Sequence, residues 1–430
     1  MTEVSAHPSA SARAPRAGWR SVAAALAATA AGLAVTLAAA TATPRPWLLL
    51  VAGIATAVTV GSVAAMWVRR IDRRISRVVA VSVVLATVAA TLLLAVPFRD
   101  RGVPAAAVAD QRFWSLPSGS VLRYVKIPGR NPTRSTPIIF AHGGPGTPDL
   151  AGDAAYFGQL AADGYDVYVY EEVGGGRSTR LPDLKQYSRD RDVADLESIR
   201  HVIGAERVIL IGHSYGAGVV AGYLAAHPDR VARTVVLAPG PLDPADPSPG
   251  RVQQRLTTAQ RVRLYGRLLL PRNLFVYTLL QINPPAAYAV AGDREMDAQN
   301  DRVYALSEPA LHCPGQAKAV PPTGMGFYRL QYPQSASAPA EPDLRPAIAG
   351  NRTPTLIVKG ACDYLSWSSA IGWRTVLPRS QLIYLRGGHN VYQDAPGEVL
   401  ASVRAFLADR PLPVAPYPGD AAPEDYEGPP

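Results

Sequence analysis

The chain of 430 residues has only two cysteines, Cys313 and Cys362, and few acidic residues near its beginning. Sequence alone leaves open whether the two cysteines pair or remain thiols. No cysteine and histidine cluster has the spacing of metal ligands, so we expect no metal and no cofactor. Residues 1–97 hold nine arginines against Glu3 and Asp72, and thus most of the net charge of +9. The high isoelectric point is therefore no reason to expect a nucleic-acid partner.

This basic N-terminal region contains three uncharged apolar runs, at 21–43, 46–68 and 78–98. Each run is long enough to cross the hydrocarbon core of a membrane, which takes about 20 residues. Buried helices of a soluble protein are the alternative, but three successive runs without amphipathic periodicity favour an integral membrane region with three spans.

The arginines predict the orientation of these spans. Arg69–Arg77, between the second and third runs, is rich in arginine and should lie in the cytoplasm. The basic N-terminal arm then lies there too, and the three spans end at residue 98. Everything after that residue should be outside the cell membrane. An alternative interpretation of the first run is a signal segment that is cleaved off. Its cleavage would leave the orientation unchanged.

After a connector at 99–118, short apolar strands alternate with helices, a pattern typical of a mostly parallel α/β sheet. The alternation covers 119–240, stops in a proline-rich stretch, and resumes over 351–410. Residues 241–350 between them are helical in character, and we interpret them as an inserted helical cap. The tail at 411–430 is rich in Pro, Asp and Glu and is predicted to be disordered.

A G-x-S-x-G pentapeptide, Gly212-His213-Ser214-Tyr215-Gly216, lies between a predicted strand and a predicted helix. A serine at so sharp a turn exposes its hydroxyl, and the glycines relieve crowding there. The pentapeptide alone often occurs by chance, so its weight comes from the flanking strand and helix. We predict that Ser214 is a nucleophile.

A serine nucleophile needs a base, and the base needs an acid that orients it. Asp363 and His389 follow in the expected chain order, each just after a predicted strand, at the edge where parallel sheets place their sites. A turn aspartate and a solvated loop histidine are the alternatives, with Asp394 as the rival acid. The backbone N–H groups of Tyr215 and Gly144 are the predicted oxyanion donors.

The motif His142-Gly-Gly-Pro-Gly146 is narrower than G-x-S-x-G, and Gly174–Ser178 and Ala194–Arg200 accompany it. With these motifs, residues 119–410 resemble the α/β-hydrolases, and within them the prolyl iminopeptidase and tripeptidyl aminopeptidase branch. The resemblance implies an α/β-hydrolase fold with an inserted helical cap. It also implies a serine, aspartate and histidine triad at the positions predicted above.

The chain departs from that branch in two places, which affects the substrate more than the mechanism. Glu171-Glu172-Val173 stands where the family usually has Asp-Gln-Arg, and the residues around the serine, His213 and Tyr215, are closer to esterase-type relatives. In the aminopeptidases, cap carboxylates bind the amino terminus of the substrate. Glu295 and Asp297 are the candidates here, and a solvated helix face is the alternative for both.

Three functions are therefore compatible with the sequence. The first is a membrane-anchored, outward-facing serine peptidase that releases N-terminal residues from short peptides. The second keeps the triad but assigns an ester or lipid-like substrate. The third is a hydrolase-like binding module without catalysis, which a missing triad residue would favour; all three residue types are present.

Overall fold

The computed structural model describes residues 14–70, 72–98, 105, 107–130, 134–246, 251–316 and 320–429. The first thirteen residues of the predicted cytoplasmic arm, and most of the first eight residues of the predicted connector, lie outside the described residues. The chain divides into two compact units. One comprises Met1–Arg99 and Leu269–Gly292, and the other comprises Asp100–Leu268 and Asp293–Pro430.

The elements are numbered in chain order through both units. The strands are β1 Arg112–Ser115, β2 Val121–Ile127, β3 Ile138–Ala141, β4 Val167–Tyr170, β5 Val208–His213, β6 Val231–Leu237, β7 Thr355–Gly360 and β8 Ser380–Leu385. The helices are α1 Ala14–Ala40, α2 Pro46–Arg69, α3 Arg73–Ala95, α4 Leu150–Phe157, α5 Arg189–Val202, α6 Tyr215–Ala226, α7 Thr258–Leu268, α8 Pro271–Ile282, α9 Pro284–Val290, α10 Asp293–Ser307, α11 Phe327–Gln331, α12 Arg345–Ile348, α13 Trp367–Val376, α14 Val391–Asp394 and α15 Pro396–Leu407.

Three long apolar helices, α1 to α3, form most of the first unit. Each is long and apolar enough to cross a membrane, over Ser21–Ala40 in α1 and over the full length of α2 and α3. Glycines let the helices approach closely, since a Cβ added to Gly32 would lie 2.7 Å from the carbonyl oxygen of Gly53. These helices coincide with the three predicted apolar runs and are candidate membrane spans.

The second unit is built on an eight-stranded sheet with the order β1-β2-β4-β3-β5-β6-β7-β8. The first two pairings are antiparallel, and those from β4 through β8 are parallel. Every residue of β3, β5 and β7 is buried, as expected of central parallel strands covered on both faces. The mostly parallel α/β sheet predicted from the alternation of strands and helices is confirmed.

Aromatic and branched side chains fill one main core of this unit. Phe140 of β3 stacks on Phe157 of α4 with ring centroids 4.0 Å apart, and Val403 and Phe406 of α15 lie in the same cluster. The helices begin at recognisable caps: the Ser188 side chain accepts a hydrogen bond from the third residue of α5, Arg191, at 3.2 Å. Because β3 to β8 run parallel, their carboxyl ends lie at one edge of the sheet.

Helices α7 to α12 lie between β6 and β7 in the chain, where the sequence predicts a helical cap. Helices α7, α10, α11 and α12 belong to the hydrolase unit, whereas α8 and α9 belong to the unit of the long apolar helices. The sequence does not predict this separation of the inserted segment.

The tail beyond Pro411 packs against the sheet unit instead of showing the disorder that its composition predicts. The amide of Tyr417 donates to the Leu382 carbonyl at 2.7 Å, and the Trp367 indole donates to the Asp420 carbonyl at 2.8 Å. Tyr417 and Tyr426 also make edge contacts with the Trp367 ring, with centroids 5.2 and 5.4 Å away. These aromatic contacts give the polar tail an apolar surface on which to order.

Candidate active site

Ser214 lies at the turn between β5 and α6, as the pentapeptide predicts. Its backbone has φ 52° and ψ −113°, a strained conformation for a residue with a side chain. Neighbouring glycines make the turn sterically possible: a Cβ at Gly212 would lie 2.6 Å from the Gly216 carbonyl oxygen, and one at Gly216 would collide with the Ala141 carbonyl. The Ser214 amide donates to the Leu237 carbonyl at 3.0 Å, which fixes the turn to β6.

Asp363 and His389 follow β7 and β8 and are hydrogen-bonded to each other. The distance from His389 Nδ1 to Asp363 Oδ1 is 2.8 Å, and both side chains are buried. The structure thus brings together the predicted acid and base. Since Nδ1 donates to the carboxylate, Nε2 is left as the basic nitrogen of a neutral ring.

A buried lysine completes the surroundings of the acid. Lys359 Nζ lies 2.8 Å from Asp363 Oδ2 and 3.0 Å from the Leu365 carbonyl, and the Leu365 amide donates to Oδ1 at 3.0 Å. Burial by itself raises the pKa of Asp363, but Lys359 and His389 outweigh it and hold the pKa well below its ordinary value. Asp363 is therefore ionised throughout the neutral range.

His213 connects the serine turn to the histidine loop. Its Nε2 donates to the His389 carbonyl at 3.0 Å, and its ring lies 4.9 Å from the His389 ring. Burial, followed by the neighbouring His389, lowers the pKa of His213 to about 3, so this ring stays neutral. Because Ser214 directly follows His213, this bond holds the serine turn against the histidine loop. His213 therefore has a structural role.

The glycine turn after β3 lies beside the serine turn. A Cβ at Gly143 would lie 2.9 Å from His213 Nδ1 and 3.2 Å from Ser214 Cβ, so a side chain there would push the two turns apart. Gly144 has φ 124°, a backbone region that favours glycine. Tyr215 begins α6, where the first amides of a helix have no partner within the helix. This geometry brings both predicted oxyanion residues close to Ser214.

A buried arginine that the sequence did not predict contacts both predicted oxyanion segments. Arg329, in α11, has one guanidinium nitrogen 3.2 Å from Glu172 Oε2 and 2.9 Å from the Tyr215 hydroxyl, and it also bonds Asp192. Glu172 accepts the Gly146 amide of the glycine turn. Tyr215 in turn donates to Asp192 at 2.7 Å. One guanidinium therefore links the glycine turn to the residue that follows Ser214.

Electrostatics explain why these groups stay together. Burial raises the pKa of both Glu172 and Asp192, and the Arg329 charge opposes it; the pKa of Glu172 stays raised, and that of Asp192 is raised to about 7. Removing two carboxylates from water is unfavourable unless a cation accompanies them, and the fully buried Arg329 supplies it. The only sequence signal for this network was the unusual Glu171-Glu172 pair.

Asp394, the rival acid, binds a different histidine. His312 Nδ1 lies 2.5 Å from Asp394 Oδ1, and Asp394 Oδ2 accepts the Gly388 amide at 2.7 Å. Burial lowers the pKa of His312, but Asp394 and Glu308 outweigh it and raise this pKa above its ordinary value. Asp394 therefore holds the backbone just before His389 and does not contact the His389 ring through these bonds.

Cys313 and Cys362 form a disulfide that joins the cap segment to the loop of the acid. Cys362 directly precedes Asp363, and its amide donates to the Gly387 carbonyl at 2.9 Å. The sequence left the pairing of these cysteines open, and the structure pairs them.

The two predicted substrate carboxylates lie on α10. Asp297 forms an ion pair with Arg180 at 2.9 Å and accepts the Phe327 amide at 2.7 Å. Its neighbour Asp301 accepts the amides of Gly324 and Met325 at 2.9 and 2.8 Å. Asp297 thus already has a cationic partner from the protein. Glu295 is partly exposed on the same helix, and its role stays a prediction.

Within the described part of the chain, no group of three or more His, Cys, Asp or Glu residues is arranged to hold a metal ion. The chemistry available at the site is that of Ser214, His389 and Asp363 with backbone amides. This set is suited to acyl transfer through an attacking hydroxyl.

The fold and the site define the class of protein. A family model described as alpha/beta hydrolase fold matches residues 136–396, more than half of the chain. The chain therefore belongs to the α/β-hydrolase fold family, which confirms the resemblance inferred from the sequence motifs.

Curated relatives differ in what they hydrolyse. The chain is 35% identical over 106 residues to a proline iminopeptidase of Heyndrickxia coagulans, covering 24% of this chain and 35% of the relative. It is 30% identical over 141 residues to a (Lyso)-N-acylphosphatidylethanolamine lipase of Mus musculus, covering 32% of this chain and 40% of the relative. The chain thus spans well under half the length of either relative.

A solved structure of a proline iminopeptidase from Mycobacterium smegmatis aligns with 70% of this chain and 98% of its own. Its TM-score is 0.46 at 18% identity, a similarity that concerns the fold alone.

Proposed function

We propose that this protein is a membrane-anchored serine hydrolase that uses Ser214, His389 and Asp363 to cleave short peptides from their amino end through an acyl-enzyme. The observation that supports it most is the 2.8 Å bond between His389 and Asp363 beside the strained serine turn. A serine in that backbone conformation costs free energy that a plain loop would avoid, which is typical of a functional site.

The residues suggest a complete acyl-transfer cycle. His389 Nε2 takes the Ser214 proton while Oγ attacks the substrate carbonyl, and the Asp363 carboxylate stabilises the imidazolium. The amides of Gly144 and Tyr215 stabilise the oxyanion that forms. The imidazolium then gives its proton to the leaving amine as the C–N bond breaks. Water, deprotonated by His389, attacks the acyl-enzyme ester. The imidazolium returns that proton to Ser214 Oγ as the C–O bond breaks, which releases the acid and free Ser214.

The preference for peptides is supported by the His142–Gly146 motif and by the proline iminopeptidases among the relatives. An ester or lipid-like substrate is the second candidate. It is favoured by the ion pair between Asp297 and Arg180, because a carboxylate already paired with arginine attracts a substrate ammonium less strongly.

The membrane part of the proposal assigns α1 to α3 as spans, with the hydrolase unit outside the cell. Arginines between α2 and α3 favour a cytoplasmic loop there. The disulfide between Cys313 and Cys362 supports the same orientation, because disulfides persist in oxidising compartments.

Labelling with a fluorophosphonate probe tests the enzyme proposal. We expect the intact protein in membranes to label at Ser214, with Ser214→Ala as the control that does not. Folded protein that fails to label at Ser214 would contradict the assignment of the nucleophile.

A panel of aminoacyl and tripeptidyl amides beside acyl esters tests the substrate class. Turnover of amides supports the peptidase, whereas turnover of esters alone would replace it by the second candidate. Protease added to intact cells tests the orientation: loss of the hydrolase unit is expected, and its protection would contradict an outward-facing domain.

A further inference from the structure

The segment that leads into α8 and α9 has an unusual charge pattern. From Arg251 to Gly292 the chain contains six arginines and no aspartate or glutamate. Five of these arginines precede α8. The stretch Leu269–Gly292, which we call the hairpin, has Arg272 as its single charged residue. A basic stretch followed by an apolar one is the pattern of a segment that binds a membrane surface.

The hairpin packs on the candidate spans, with which it shares one compact unit. Arg272 donates to the Leu94 carbonyl at 2.5 Å and to the Val290 carbonyl at 3.0 Å. The Asn283 side chain donates to the Ala40 carbonyl at 2.7 Å. The hairpin therefore binds the carbonyl ends of α3 and α1, where helices lack internal partners.

The two bound ends lie on one face of the membrane if α1 to α3 are spans. Helix α1 finishes at Ala40 and α3 finishes at Ala95, while α2 begins nearby at Pro46. Leu49 of α2 and Leu94 of α3 line a cavity of about 60 Å³ together with Phe275 and Val290 of the hairpin. Apolar side chains of the hairpin are thus continuous with those of the spans.

Part of the hairpin surface is apolar and exposed. Leu269, Leu274 and Ile282 are 57%, 44% and 36% exposed. On the spans, Leu93 and Trp47 near the same ends are exposed as well. Exposed apolar side chains on a hairpin that is bound to membrane spans would face lipid chains, as the exposed side chains of the spans would.

We propose that the hairpin inserts into one leaflet of the membrane, and that Arg261 and Arg263 of α7, which precedes the hairpin in the chain, bind anionic lipid headgroups. This proposal rests on the membrane anchoring proposed above, but not on the direction of the spans or on the reaction. Helix α7 ends at Leu268 and the hairpin begins at Leu269, so Arg261 and Arg263 precede the hairpin by eight and six residues in the chain. Both arginines are exposed on α7 beside exposed Val262.

The full chain in lipid nanodiscs, with a single nitrobenzoxadiazole label, tests the insertion. Both native cysteines are in the disulfide, so a cysteine introduced by Leu274→Cys takes the label alone. Leu93→Cys in α3 is the control within a span, and Thr375→Cys on exposed α13 is the control in water. We expect label 274 to match label 93, with blue-shifted emission and quenching by doxyl-labelled phosphatidylcholine.

The controls distinguish the two ways in which this can fail. Label 274 behaving as label 375, while label 93 is quenched, would overturn the insertion of the hairpin and leave the spans intact. Labels 93 and 274 both behaving as label 375 would overturn the membrane anchoring and this proposal with it. Cross-linking of two copies through position 274, without quenching, would assign the face to a second copy and also overturn insertion.

A label at Val262→Cys tests the headgroup contact. We expect its emission to shift to the blue in discs with phosphatidylglycerol and not in discs of phosphatidylcholine alone. Arg261→Gln with Arg263→Gln should abolish the shift, and Arg230→Gln with Arg352→Gln, two exposed arginines elsewhere, should leave it unchanged. An equal shift in both lipids, or one that survives loss of Arg261 and Arg263, would overturn the anionic contact.

Discussion

The serine side and the acid side of the candidate site are stabilised in different ways. The position of Ser214 is set mainly by backbone geometry. Glycines permit the strained turn, and neighbouring strands hold it in place. The position of Asp363 is set mainly by charge, since Lys359 and His389 each bond one of its two carboxylate oxygens. The comparison teaches that the serine side depends on the shape of the backbone, whereas the acid side depends on charges held close together.

The largest effect should come from breaking the acid side at its centre. Asp363→Asn leaves the shape nearly unchanged but removes the charge that stabilises the imidazolium, so we expect kcat to fall by about 10⁴-fold. Steady-state hydrolysis of the best substrate measures this. Asp394→Asn is the matched control, since Asp394 binds His312 rather than the His389 ring. A near-normal rate for Asp363→Asn would assign the acid elsewhere.

The next effect should come from the link across the serine side. Arg329→Met leaves Glu172 and Asp192 buried without their cation and releases both oxyanion segments, so we expect kcat to fall by up to about a hundredfold with KM little changed. A merely structural role would lower the amount of folded enzyme without changing kcat per labelled site. Arg329→Lys should recover part of kcat, because it restores the charge without the forked geometry.

Lys359→Met should show mainly in stability and in the acidic limb of the pH profile. The lowered pKa of Asp363 contributes stability above pH 3.8, and this contribution is lost as pH falls through the folded-state pKa. Without Lys359, burial is less opposed and the pKa of Asp363 rises. Activity and Tm should therefore begin to fall at a higher pH than in the parent protein.

Melting and rate measurements between pH 3 and pH 8 follow this change. At neutral pH, loss of one partner from the buried pair should cost about 3–5 kcal/mol of unfolding free energy. Asp343→Asn, which breaks a partly exposed pair with Arg345, is a control that should cost less. Superimposable acidic limbs would mean that Lys359 does not set the charge of Asp363.

The smallest effect should come from the tail. The Tyr426 hydroxyl donates to the Leu365 carbonyl, which Lys359 also bonds, so Tyr426→Phe should cost about 1 kcal/mol of stability and little activity. Tyr417→Phe removes a hydroxyl that bonds an exposed tail carbonyl, Ala421, and should cost less. Equal melting temperatures for Tyr426→Phe and the parent would show that the tail does not support the acid loop.

The sequence predicted the site residues that carry a local signal and missed those that do not. Ser214, Asp363 and His389 stand at strand ends, a local signal, and the sheet then brings strand ends together. Arg329 gave no such signal, because its partners lie 114 to 157 positions away and only the folded cap brings it to them. Lys359 and Asp363 are four residues apart, but only the turn after β7 makes them neighbours.

The hairpin shows a second limit of sequence patterns. Leu269–Gly292 has a single charge, but Pro271, Pro284 and Pro285 divide it into two short helices, so it does not have the length of a span. From the sequence, the hairpin is therefore assigned to the helical cap, because it lies between the two parts of the sheet domain. Only its contacts with Ala40 and Leu94 separate it from the rest of the inserted segment.

The disulfide changes how the inserted segment can move. Without it, the segment between β6 and β7 would have covalent links to the sheet only where it leaves and where it returns. The bond between Cys313 and Cys362, 49 positions apart, adds a covalent attachment beside Asp363. The insertion is thereby divided into two shorter loops with a shared fixed point, and each has fewer conformations to sample. Any opening that admits substrate must keep residue 313 beside residue 362, and reduction of the disulfide would remove that constraint.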